Sequence, residues 1–94
     1  MGRSQRVRPA RLAEKLLQIR TTLDLTQEQM IKKLNYTASP LHPQNISGFE
    51  TGEREPPLPL ILAYARCVHL STDYLIDDNL DLPAKLPKKT KQNK

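Results

Sequence analysis

Leu25-Thr26-Gln27-Glu28-Gln29-Met30-Ile31-Lys32-Lys33-Leu34 carries the strongest local signal in this chain of 94 residues. Thr26 suits a helix N-cap, because its hydroxyl can accept from a backbone N–H that the first turn leaves unpaired. Gln29 stands three residues on, where a capping box puts the reciprocal side chain. Leu25 and Met30 hold the two positions of a hydrophobic staple. The helix so begun buries Met30, Ile31 and Leu34. Asn35, which tolerates left-handed backbone, closes it.

Upstream, Pro9 suits the first turn of a helix, where its missing N–H loses nothing. Leu12, Leu16, Ile19 and Leu23 recur at helical spacing and predict a first helix running to about Thr22. Downstream, Tyr36 to His42 reads as a loop, although Ser39-Pro40 is a second possible start for the next helix. Pro43 opens a third helix over Gln44 to Glu50, with Ile46 and Phe49 inward and Gly52 at its end. A fourth helix starts near Leu58. Pro59 is compatible with it because it falls in the first turn. Leu58, Ile61, Leu62, Ala65 and Val68 form its expected core stripe. Leu60 and Tyr64 make a second apolar line on another side, expected to join Ile76 and Leu80 in an intermolecular contact. Ser71 caps a short fifth helix with Leu75 inward, and no periodicity follows Asp78. No stretch reads as a strand, so the expected class is all-α.

Charge divides the chain into three. Residues 1–11 hold Arg3, Arg6, Arg8 and Arg11 and no acid, residues 82–94 hold five lysines and no acid, and residues 12–81 hold six bases against ten acids. The net charge of +5 therefore lives at the ends, and basic patches are the usual footprint of nucleic-acid binding. The expected organisation is a basic N-terminal arm over 1–8, a helical domain over 9–78 and a basic disordered tail over 79–94. Cys67 is the single cysteine, which excludes a disulfide framework and a cysteine metal cluster and fits a cytoplasmic setting. The longest apolar run, 58–65, is too short to span a membrane. No paired-carboxylate pocket, phosphate loop or metal set is visible. No catalytic residue, cofactor or metal is expected, and the chain does not read as an enzyme.

The segment 25–34 resembles the opening of the helix-turn-helix in the phage repressor/Cro (Xre) family. Ile46-Ser47-Gly48-Phe49-Glu50-Thr51-Gly52-Glu53-Arg54 resembles that family's recognition helix and the turn after it, and Leu70-Ser71-Thr72-Asp73-Tyr74-Leu75-Ile76 resembles its fifth helix. The likeness covers roughly residues 12–77. It implies a five-helix repressor-like domain whose helix-turn-helix spans about 26–51.

By that resemblance, the third helix enters the major groove of double-stranded DNA. Gln44, Asn45 and Ser47 become base-reading candidates, since Gln and Asn can pair with adenine in bidentate fashion. Thr26, Gln27, His42, Thr51 and Arg54 become phosphate-contacting or bracing candidates. Arg3, Arg6 and Arg8 form a DNA-seeking arm. Arg20 and Glu50 hold the family positions of a structural ion pair. Two departures stand out. Gly48 falls where many relatives carry a long base-reading side chain. Tyr36–His42 is longer than that family's usual turn of about three residues. The expected function is a sequence-specific DNA-binding transcriptional regulator, a minimal repressor acting as a homodimer. The alternatives are an autoregulating antitoxin with a toxin or other protein partner, and a protein-interaction module on the same scaffold without specific DNA binding.

Overall fold

The computed structural model describes residues 9–83. Five α-helices follow one another, α1 (Leu12–Thr22), α2 (Gln27–Leu34), α3 (Pro43–Thr51), α4 (Leu58–Cys67) and α5 (Asp73–Ile76), with no strand among the described residues. The arm expected over 1–8, and residues 84–94 of the tail expected over 79–94, lie outside those residues.

Local chemistry accounts for most helix ends. Thr26 is the N-cap of α2: its Oγ1 accepts from the Gln29 N–H at 3.1 Å, while Gln29 Oε1 accepts from the Thr26 N–H at 2.8 Å. Asn35 ends α2 in the left-handed region, at φ 51°. Pro43 is the first residue of α3, so the Ser39-Pro40 start is not used. Both α1 and α4 close in Schellman motifs without glycine. In α1, the Leu25 N–H donates to the Arg20 carbonyl at 3.2 Å and Asp24 takes φ 61°. In α4, the Leu70 N–H donates to the Ala65 carbonyl at 2.9 Å and His69 takes φ 56°.

The core gathers Leu12, Leu16 and Ile19 of α1, Met30 and Leu34 of α2, Ile46 and Phe49 of α3, and Leu75 of α5. The face of α4 differs from expectation. Leu60 and Tyr64 are fully buried beside Ile61, Ala65 and Val68, whereas Leu58 is 76% exposed and Leu62 39%. An intermolecular contact through Leu60 and Tyr64 is therefore ruled out. The helix is apolar round most of its circumference, and α2 and α5 both pack on it. Tyr64 Oη is buried with no hydrogen-bond partner among the described residues, and burial, seconded by the charge of Glu50, raises its pKa well above the ordinary phenol value.

Two long-range polar ties hold the ends of the domain together. Lys15 sits inside the α1 stripe, fully buried, and its ammonium donates to the carbonyls of Tyr74 at 2.8 Å and Asp77 at 2.9 Å. The cation thus caps the end of α5, although burial lowers its pKa. Asp78 caps the other end of the same junction. Its carboxylate accepts from the N–H groups of Ala10 at 2.8 Å and Arg11 at 3.0 Å, and Arg11 returns a bond to the Asp78 carbonyl at 2.9 Å. These bonds take the place of a local cap, so α1 begins at Leu12 and Pro9 lies ahead of it. Arg11 also pairs with Asp81 at 2.6 Å, and Leu82 is buried in the core. The packed domain thus runs through at least Leu82, past the expected boundary at Asp78.

The backbone bonds to Asp78 hold its carboxyl below the usual carboxylate range. A carboxyl whose folded pKa is depressed stabilises above its unfolded value of about 3.9, and that support is lost as pH falls through the folded value. Asp78→Ala is expected to lower the melting temperature at neutral pH, and the gap to wild type should shrink in acid. A gap of constant size across the pH series would overturn this role.

Candidate nucleic-acid interface

Three helices meet at Glu50. Its carboxylate is 5% exposed and accepts from Arg20 Nε at 2.6 Å and Arg20 Nη2 at 3.1 Å, a bidentate pair joining α1 to α3. Arg20 Nη1 donates to the Leu25 carbonyl at 2.9 Å, pinning the α1–α2 turn as well. Gln27 Nε2 reaches Glu50 Oε1 at 3.4 Å, so this side chain braces α2 against α3. The ion pair expected from Arg20 and Glu50 is thereby present, with Gln27 on its flank.

With Ile46, Phe49 and Glu50 turned inward, helical spacing puts Gln44, Gly48 and Thr51 along the opposite side of α3. Gln44 is exposed in the first turn. Asn45 is half-buried, and its Oδ1 accepts from the His42 N–H at 2.9 Å, so its carbonyl end is committed to closing the start of α3. His42 is the exposed N-cap residue. Ser47 is half-buried on the flank. Thr51 is exposed, and its hydroxyl donates to the Gly48 carbonyl at 3.2 Å. Thr26 is exposed at the head of α2, its hydroxyl engaged in the capping box. The first N–H groups of α2 have no partner within the helix, which makes that end favourable for an anion.

Gly48 is not an open gap in this surface. Arg54, in the turn after α3, donates its backbone N–H to the Gly48 carbonyl at 3.1 Å. Its stem then lies across the glycine so closely that a Cβ there would come within 2.9 Å of Arg54 Cδ and 3.1 Å of Cγ. A glycine at this position is what lets a long cationic side chain cross the outer side of α3. Arg54 is exposed and forms no ion pair among the described residues.

The structure thus brings Gln44, Thr51 and Arg54 to one side of α3, commits Asn45 and Gln27 to internal bonds, and leaves Arg3, Arg6 and Arg8 outside the described residues. Cys67 is half-buried and donates weakly to the Lys33 carbonyl at 3.6 Å, with burial pushing its thiol pKa up, which is no setting for a nucleophile. Among the described residues no group of acids, histidines and cysteine is placed to hold a metal, and no helix is long and apolar enough to cross a membrane.

Sequence reasoning missed Lys15 and Asp78. Lys15 was findable: it falls between Leu12 and Ile19 on the apolar stripe, where a cation needs a buried partner. No pattern could have paired Asp78 with residues 67 positions away. No family model, no curated protein and no solved structure matches the chain.

Proposed function

We propose that the chain is a sequence-specific DNA-binding transcriptional regulator of the repressor type, reading the major groove with α3 and acting as a homodimer. The observation that carries this reading is the outer side of α3. Gln44, Thr51 and the Arg54 stem lie along it, none of them used to hold the core, while Glu50 on the opposite side fixes the helix against α1 and α2. The resemblance of 25–34 and 46–54 to the phage repressor/Cro family supports the same roles. Gln44 is the proposed base reader. Arg54, the start of α2 and the basic residues of both ends supply phosphate contacts, which release counterions and make affinity salt-dependent.

Selection of bound duplexes from a random pool tests this. The expected result is one enriched motif in two symmetric half-sites, with affinity falling as salt rises. A pool that stays random, with no salt-dependent binding, overturns it in favour of a protein-interaction module.

Gly48→Ala separates folding from binding by sign. Replacing a glycine inside a helix with alanine gains up to about 1 kcal/mol, worth about 4–8 °C in melting temperature for a domain of this size. The added methyl also forces the flexible Arg54 stem off α3. The variant is expected to melt higher and bind DNA more weakly than wild type. Unchanged binding would show that the placement of Arg54 does not matter.

A further inference from the structure

The exposed large hydrophobic residues among those described are Leu17, Leu58, Leu62, Ile76 and Leu80. Four of the five fall in two patches of opposite charge. The first is a groove of about 620 Å³ between the end of α2, the loop after it and α4. Leu62, Tyr36 and Cys67 give it apolar walls, Lys33, Arg66 and His69 line it with bases, and no carboxylate is among its lining residues. Leu58 stands one helical turn before Leu62, beside the groove. Lys33 and Arg66 form no ion pair among the described residues.

The second patch is the corner after α4. Ile76 and Leu80 are exposed there at 41% and 36%, with Asp73 and Asp77 exposed beside them. Its chemistry, two aliphatic side chains with carboxylates, complements the groove. Groove against groove sets base against base, and corner against corner sets acid against acid. Both ends of the chain carry bases only, so like charge bars them from the groove too. Mismatched charge at a contact excludes partners as effectively as matched charge selects them.

We propose that two copies of this chain pair by seating the Ile76–Leu80 corner of one in the α2–α4 groove of the other, the contact being made twice about a two-fold axis. A two-fold contact of this kind closes at two subunits, each patch meeting its complement on the other copy. Exposed apolar surface is covered, and the two corner carboxylates meet a groove whose lining holds bases and no acid. This deepens the homodimer part of the proposed function by naming its surface. It is tested without DNA, so failure of the DNA reading leaves its outcome untouched.

The experiment is sedimentation of the full chain over a concentration series, with charge-reversed variants. Arg66→Glu puts an acid in the groove, and Asp73→Lys puts a base at the corner. Asp77 is left alone because its charge steadies the buried Lys15 ammonium. Wild type is expected to be a dimer, and each variant alone should dimerise at least about tenfold more weakly. A mixture of the two variants should recover the dimer, since the reversed position in the groove of one meets the reversed position at the corner of the other and the remaining contact is native. Leu62→Glu, on the exposed side of α4, should also abolish pairing with its melting curve intact. A wild-type monomer at every concentration, a dimer that neither reversal weakens, or a mixture that fails to recover would each overturn the proposal.

Discussion

Glu50→Ala is expected to destabilise the fold by about 3–5 kcal/mol, the usual loss when one member of a buried, hydrogen-bonded ion pair is removed. Arg20, only 17% exposed, would keep its bond to the Leu25 carbonyl but lose both bonds to the carboxylate, and the Gln27 amide would lose its partner too. A domain of this length is stable by only about 5–15 kcal/mol, so the loss is a large share of the whole. Melting would fall by tens of degrees, given about 4–8 °C per kcal/mol. The double variant Arg20→Met with Glu50→Leu is the decisive comparison. Replacing both charges with apolar groups leaves neither stranded, and it should recover much of the stability lost by Glu50→Ala. A melting temperature for Glu50→Ala within a few degrees of wild type would show that the pair does not tie the helices together.

On DNA, the largest effect is expected at Gln44. Gln44→Ala should leave the melting temperature near wild type, because the side chain is exposed. Losing a bidentate contact to adenine removes about 1–3 kcal/mol of discrimination, so preference at one base pair per half-site should relax while nonspecific binding persists. Arg54→Ala should instead weaken the selected site and a scrambled one alike, as phosphate contacts carry no direct sequence information. Equal loss on both duplexes for Gln44→Ala would make it a backbone contact. No loss on either would remove α3 from the groove.

Residues close in sequence determine most of the helices. Thr26 and Gln29 close a capping box within four residues, Asn35 and Pro43 bracket the loop, and the stripes of α1 and α3 each offer a single apolar face. Such signals act over one or two turns, so they survive whatever the rest of the chain does. The pairing of Arg20 with Glu50 came from the resemblance, and the structure has it. The candidate site was legible in part. Gln44 stands exposed as expected, but Asn45 is drawn into the start of α3, and Gly48 turns out to be covered by Arg54 rather than bare.

Only the tertiary structure decided which side of α4 goes inward. Ile61, Ala65 and Val68 lie between two apolar edges, Leu58–Leu62 and Leu60–Tyr64, and the periodicity alone puts the first of them inward. The choice fell to the packing of the whole domain, which buries Leu60 and Tyr64 and leaves Leu58 and Leu62 exposed. The same holds for Lys15 and Asp78. Each satisfies backbone groups 59 to 68 residues away, and a hydrogen bond across that separation exists only once the chain has closed on itself.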